Sequence, residues 1–171
     1  ILVSPGPSNT EYFDQTFASM QQKRSEEDMK ELISAMMSSD FEKREEKTFR
    51  KVVMLGDKSN LHDQSKVEEL YEPMNFTTET ANKLMIVNSL LERTYFSFDI
   101  TESDLSAITC PSVIMLGDMD NVPFASAQSI QDNLGSCKLK VFKKCGHYPF
   151  FETPTEFSKE LKDFMNPEYV Q

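Results

Sequence analysis

The chain has 171 residues, of which 39% are hydrophobic and 27% are charged. This apolar content is enough to form a core, so it excludes wholesale disorder, and the length fits one domain or a large piece of a bigger one. The net charge of −10 argues against a general nucleic-acid binder, because an acidic chain repels phosphate backbones, and no apolar run approaches the ~20 residues of a membrane helix.

The first residues predict a strand. Ile1 to Val3 are apolar and are followed by Pro5, Gly6 and Pro7, which is typical of a buried strand that ends in a turn. No Met and no basic segment stands before this strand. We therefore expect the natural chain to begin earlier, so that these residues are a fragment and any targeting signal lies in the missing part.

The stretch of residues 8–100 is mostly polar and has helical periodicity. It predicts four or five helices and no convincing strand. The boundary signals are an N-cap at Ser25, an N-cap at Asp40 for a helix that stops at Gly56, a helix over 61–71, and a helix start at Thr77 or Thr78.

The pattern changes after Ile108. Residues 112–117 form a compact apolar run and residues 138–142 alternate polar and apolar, so both predict strands. Helical patterns follow them at 125–134 and 152–165. Strand and helix in alternation indicate the α/β class, with the strands at 1–4, 112–117 and 138–142 parallel in one sheet.

Two predicted loops carry the chemically informative residues. Asp120 follows the first strand of this region and His147 follows the second, at the strand ends where α/β proteins place their functional groups. If the two side chains meet, the Asp accepts the Nδ1 proton of the imidazole and fixes its tautomer. Asp118, in the same loop, is the rival acid. The structural alternatives are a helix-capping loop Asp and a turn His.

The span from Ile108 to Met165 resembles the C-terminal end of an α/β-hydrolase. Gly117 to Pro123 matches the family's acid motif, and Gly146 to Phe157 matches its Gly-His-x-Pro-x-x-Glu-x-Pro-x-x-Phe motif. The opening residues resemble the strand before the helical cap of proline-iminopeptidase-like members. The resemblance implies a core strand at 1–7, a helical cap at 8–100 and the C-terminal part of the hydrolase core at 101–171.

The resemblance also implies a function. Asp120 would be the acid and His147 the general base of a Ser-His-Asp triad that hydrolyses amide or ester bonds of a small molecule or short peptide, without metal or organic cofactor. The nucleophile motif Gly-x-Ser-x-Gly is absent from these residues, and Ser4 does not fit it. We expect the Ser upstream of Ile1, in a missing N-terminal half of the fold, and we expect this fragment alone to be inactive.

Aminopeptidase activity is a narrower hypothesis, which needs a carboxylate for the substrate's free amine. In proline iminopeptidases one such carboxylate typically follows the triad Asp directly, but in this sequence the neutral residue Asn121 occupies that position. The counter-charge would then come from one of the cap residues Glu68, Glu69 and Glu72.

The remaining candidates are assigned structural roles. Cys145 is interpreted as a packing residue and His62 as a solvated residue near a helix start. The three cysteines show no zinc-site spacing and indicate free thiols in a reducing compartment, which favours the cytoplasm. The alternative function is a non-catalytic interaction module derived from a hydrolase fold. Neither hypothesis includes a nucleic-acid or membrane partner.

Overall fold

The computed structural model describes residues 1–95 and 99–166. These residues form two compact units, one of residues 1–19, 60–63 and 99–166 and one of residues 20–59 and 64–95. Within the described residues, no helix is both long enough and apolar enough to cross a membrane.

The first unit contains a parallel sheet of three strands, β1 (Leu2–Val3), β2 (Ser112–Gly117) and β3 (Cys137–Phe142), in the order β1-β2-β3. This confirms the predicted strands and their parallel direction. The middle strand is apolar at successive positions because both of its faces are covered, and Val113, Ile114 and Met115 are fully buried.

Alternate residues of the sheet enter two separate cores. On one face, Ile114 and Leu116 pack with Ala127 and Ile130 of the helix that follows β2 and with Leu134, which caps that helix. The opposite face is covered by the last helix. Its core consists of Val113, Met115, Phe142 and Cys145, against which Phe157, Leu161 and Phe164 pack. These two cores hold the carboxyl ends of β2 and β3 side by side.

Ten helices lie in the described residues, and short 3₁₀ turns cover Lys58–Asn60 and Gln64–Lys66. The helices are α1 (Thr10–Lys23), α2 (Glu26–Met36), α3 (Ser39–Glu42), α4 (Glu46–Asp57), α5 (Val67–Tyr71), α6 (Thr78–Tyr95), α7 (Glu102–Ser106), α8 (Phe124–Asn133), α9 (Pro149–Glu152) and α10 (Pro154–Met165).

Several predicted boundaries are confirmed and others are wrong. The Ser25 hydroxyl accepts a hydrogen bond from the Asp28 N–H and caps α2, as predicted. Asp40 is not an N-cap: Ser38 caps the short helix α3, and Arg44, with φ of 61°, separates α3 from α4. Only the last five residues of the predicted helix at 61–71 are α-helical. The predicted final helix is divided at Thr153 into α9 and α10.

The predicted burial of the first strand is also wrong. Ile1, Leu2 and Val3 are 53%, 38% and 36% exposed, because β1 lies at the edge of the sheet. The predicted division at residues 7 and 100 stays a prediction. Residues 96–98 and 167–171, which it includes, lie outside the described residues.

Candidate active site

The loop after β2 holds a buried carboxylate. Asp120 lies three residues beyond Gly117, the last residue of the strand, and its side chain is only 2% exposed. One of its carboxylate oxygens accepts a hydrogen bond from the Val122 N–H at 3.0 Å, which folds the loop into the start of α8. A buried carboxylate needs further polar partners to offset its lost hydration.

The loop after β3 runs directly against this first loop. The Asp118 N–H donates to the Phe142 carbonyl at 2.8 Å, and the Met119 N–H donates to the Cys145 carbonyl at 2.8 Å. A Cβ atom at position 117 would collide with the backbone carbonyls of Cys145 and Gly146. Glycine is therefore required at position 117 by this close approach of the two loops.

The partner of the buried carboxylate is His147. Its Nδ1 atom lies 3.0 Å from each carboxylate oxygen of Asp120. A carboxylate at this position stabilises the tautomer with its proton on Nδ1, so the lone pair is on Nε2. It also stabilises the imidazolium that forms when Nε2 takes up a proton. The His147 side chain is 27% exposed, so the ring is accessible while its carboxylate is buried.

Asp118 makes different contacts. One carboxylate oxygen accepts a hydrogen bond from the Cys145 N–H at 3.3 Å, and the other lies 3.6 Å from the ammonium group of Lys143. The geometry thus brings Asp120, rather than its rival, to His147. Their catalytic roles stay predictions.

Glu152 stabilises the backbone around the imidazole. Its carboxylate accepts hydrogen bonds from the Gly146 N–H at 2.8 Å and from the His62 N–H at 2.7 Å. In the sequence this residue is part of the histidine motif, and the structure explains its presence there, because one carboxylate joins the His147 loop to the segment of residues 60–63.

That segment supplies a contact which sequence reasoning missed. The Asn60 carbonyl accepts a hydrogen bond from the His147 N–H at 2.8 Å. The Asn60 side chain accepts one from Asn121 Nδ2 at 2.7 Å, and Asn121 Oδ1 accepts one from the Ser19 hydroxyl at 2.8 Å. The only signal was that Asn60 and His62 are polar residues in a break of the helical periodicity, which does not indicate what they contact.

Cys145 and His62 contribute no reactive side chain. Burial, followed by the nearby charge of Glu152, raises the pKa of Cys145 to about 12, so its sulfur stays a protonated thiol and a poor nucleophile near neutral pH. The His62 side chain is exposed, and its backbone N–H makes the contact with Glu152.

Ser4 lies at the carboxyl end of β1 with an unusual backbone. Its φ is 42°, its N–H donates to the Met115 carbonyl at 2.7 Å, and its buried hydroxyl has no hydrogen-bond partner among the described residues. A serine with positive φ after a strand is a feature of nucleophile motifs. However, Leu2 stands where the motif requires Gly, so Ser4 does not match the nucleophile motif.

Two clefts differ in their relation to these residues. A cleft of about 380 Å³ is lined by Asp118 and Asp120 together with neighbouring residues of β3 and α8, and His147 is not part of its lining. A larger one of about 530 Å³ is lined entirely by residues of the second unit (20–59 and 64–95), and so contains neither Asp120 nor His147. The smaller cleft is the one that borders the buried carboxylate. No group of His, Cys, Asp and Glu within the described ranges has the arrangement of a metal site.

Comparison with known proteins gives no matching family model. The proline iminopeptidase of Heyndrickxia coagulans is 33% identical over 70 residues, which cover 41% of this chain and 24% of that protein. The proline iminopeptidase of Saccharolobus solfataricus is 29% identical over 111 residues, covering 61% of this chain and 36% of that protein. The chain thus spans from about a quarter to about a third of the curated relatives that it matches.

Solved structures share the fold. Est816, described as an N-acyl homoserine lactone degrading enzyme, matches with a TM-score of 0.52 and 20% identity, over 95% of this chain and 56% of its own. MGS-M2, an α/β-hydrolase from a Medee basin deep-sea metagenome library, matches with a TM-score of 0.52 and 18% identity, over 83% and 52%. The chain therefore has the fold of the C-terminal part of an α/β-hydrolase, and its sequence is similar to that of proline iminopeptidases.

Proposed function

We propose that this chain is the C-terminal part of a serine hydrolase that cleaves amide or ester bonds of small substrates. The observation that carries the proposal is the pairing of His147 Nδ1 with both carboxylate oxygens of Asp120 at 3.0 Å. A buried acid, an accessible imidazole and their position at adjacent strand ends form the acid–base half of a Ser-His-Asp triad.

The proposed chemistry follows from the tautomer. With its proton held on Nδ1 by Asp120, His147 takes the proton of the attacking serine hydroxyl at Nε2. The oxygen–carbonyl bond forms as this proton leaves, and the resulting imidazolium is stabilised by the carboxylate. His147 then gives the proton from Nε2 to the departing amine or alcohol. Water repeats the sequence to release the acyl group.

The proposal includes a nucleophile and an oxyanion hole from a preceding segment. Gly-x-Ser-x-Gly is absent from the 171 residues, and the solved structures are matched over only about half of their length. The outer side of β1 fits this hypothesis, because Ile1 to Val3 are exposed and β1 pairs only with β2 among the described residues. A further strand there would cover both the apolar side chains and the backbone edge.

The substrate class has two candidates. Similarity to proline iminopeptidases favours a short peptide with a free N-terminal amine. Asn121 favours an ester or a neutral acyl group instead, because it is 3% exposed, carries no charge and uses its amide in hydrogen bonds with Asn60 and Ser19. An aminopeptidase would need a carboxylate elsewhere. Glu68, one of the predicted candidates, pairs with Arg50 at 3.5 Å.

Because the nucleophile motif is absent from these 171 residues, we retain one alternative function, a non-catalytic interaction module. A direct test uses the complete open reading frame that encodes this chain. Hydrolysis of an aryl ester and of a prolyl anilide should be measured for the wild type, for His147→Ala and for His62→Ala, whose exposed side chain makes it the matched control. We expect turnover that His147→Ala abolishes and His62→Ala retains. A wild type without turnover would favour the interaction module. Turnover that His147→Ala lowers no more than His62→Ala does would contradict the proposed role of His147.

A further inference from the structure

We infer that Asn60 is a positioning residue that holds the acid loop and the histidine loop in register. The inference rests on the proposed function, since it concerns the residues that present Asp120 and His147 to a substrate. It gives a role to a residue that lies outside both motifs and belongs, by sequence, to the predicted helical cap.

The backbone of Asn60 determines where the histidine loop lies. Its carbonyl accepts the His147 N–H at 2.8 Å. A Cβ atom at Gly146 would collide with the same carbonyl and would lie 2.9 Å from the His62 nitrogen. Because only glycine permits this approach, the residue before His147 is in van der Waals contact with the segment 60–63. Any displacement of Asn60 is therefore transmitted to the His147 backbone.

The side chain of Asn60 reaches the other loop. Its Oδ1 accepts a hydrogen bond from Asn121 Nδ2 at 2.7 Å, and Asn121 directly follows Asp120. The Ser19 hydroxyl donates to Asn121 Oδ1 at 2.8 Å, which orients the amide so that its nitrogen faces Asn60. Asn121 is 3% exposed, so these bonds replace hydration that the amide has lost on burial.

One residue thus bonds to both loops, through its carbonyl to His147 and through its amide to the neighbour of Asp120. Glu152 adds a parallel connection, because it accepts N–H groups from Gly146 and His62. The Asp120–His147 distance consequently depends on Asn60 as well as on the hydrogen bond between the two side chains. Misplacement of a catalytic group by about 1 Å can cost on the order of 100-fold in rate.

The test compares three variants of the complete protein. Asn60→Ala removes the oxygen that accepts the hydrogen bond from Asn121, whereas Asn60→Asp replaces it with a carboxylate oxygen that can still accept. Asn82→Ala, which changes an exposed asparagine of α6, is the control. We expect Asn60→Ala to lower kcat by roughly 10- to 100-fold with little change in KM. Asn60→Asp should recover most of the loss, and Asn82→Ala should match the wild type.

A second readout does not depend on activity. Nitrogen NMR of isotopically labelled histidines reports the imidazole tautomer, and His147→Gln identifies the His147 signals by their loss. The wild type should show the proton on Nδ1, and Asn60→Ala should show a mixture of tautomers. If Asn60→Ala does not fold, Ser19→Ala, which removes the hydroxyl that orients Asn121, replaces it and should shift the tautomer in the same direction.

The outcomes separate this inference from the proposed function. A folded Asn60→Ala with wild-type kcat and tautomer, whatever its melting temperature, would overturn the positioning role. The same applies to Ser19→Ala if it must serve in place of that variant. A wild type without hydrolase activity, in which Asn60→Ala still shifts the tautomer, would overturn the proposed function and keep the positioning role.

Discussion

Replacing Asp120 by Asn tests the account at its most sensitive point. Each oxygen of the carboxylate lies 3.0 Å from His147 Nδ1, and the Asp120 side chain is 2% exposed, so bulk solvent has little access to it. In the Asn variant the amide nitrogen would donate to Nδ1, which moves the imidazole proton to Nε2. The nitrogen that should accept the serine proton then carries a proton itself.

The expected cost is large. Loss of the correct tautomer in a Ser-His-Asp triad lowers kcat by about 10⁴-fold, which corresponds to about 5 kcal/mol of transition-state stabilisation. We expect KM to change little, because the substitution alters the tautomer and leaves the shape of the cleft intact.

Asp118→Asn is the matched control in the same loop. The amide introduced by this substitution would keep an oxygen that accepts the Cys145 N–H, and the Lys143 contact at 3.6 Å involves a lysine that is 82% exposed. Such a pair contributes little, so kcat should stay within about 3-fold of the wild type, a change under 1 kcal/mol. Steady-state kinetics of both variants of the complete protein decide the matter. A larger loss in Asp118→Asn than in Asp120→Asn would show that the acid is misassigned.

Four further outcomes follow from the structure. From the sequence alone, Asn121→Glu would be expected to improve the binding of a free amine. In the structure it buries a charge and removes the donor to Asn60, so it should lower the melting temperature and leave KM for a free-amine substrate unimproved. A lower KM with unchanged stability would contradict this. Ser4→Ala should retain activity in the complete protein, whereas its loss would identify Ser4 as the nucleophile. Iodoacetamide should modify the exposed Cys110 but not Cys145 in the folded protein. Burial raises the pKa of Cys145 from 9.0 to about 12, so the native state favours the protonated thiol. This contribution to the free energy of unfolding is complete below pH 9 and is lost as the pH rises toward 12. In denaturant titrations, the free energies of unfolding of the wild type and of Cys145→Ala should therefore converge over this pH range.

The sequence was sufficient where local chemistry and the order of strands determine the outcome. The apolar run at 112–117 identified the central strand because both of its faces are covered. The pairing of Asp120 with His147 could be predicted because parallel strands bring the loops at their carboxyl ends to one edge of the sheet. Glycines at 117 and 146 belong to the motifs, and the structure explains them by the contact between backbones.

The missed features depend on contacts that no local pattern encodes. Asn60 contacts Asn121 and His147, which lie far from it in the sequence, so the helical periodicity around Asn60 does not indicate these contacts. Asp40 and Ser38 are both competent N-caps, and in the structure the Ser38 hydroxyl accepts the Phe41 N–H, while Arg44, with its positive φ, ends this short helix before α4 begins. The apolar residues Ile1 to Val3 have the composition of a buried strand, but burial depends on a neighbour that their own sequence cannot supply.

Labelling of the complete protein with a fluorophosphonate probe, followed by mass-spectrometric mapping, would reveal a serine activated by His147. Such a probe reacts with a serine only when a general base has activated it. We expect one labelled serine, located before Ile1, whose labelling is abolished by His147→Ala and unaffected by His62→Ala. Absence of labelling in the wild type, or labelling that persists in His147→Ala, would contradict the claim that Asp120 and His147 form the acid–base half of a hydrolase triad.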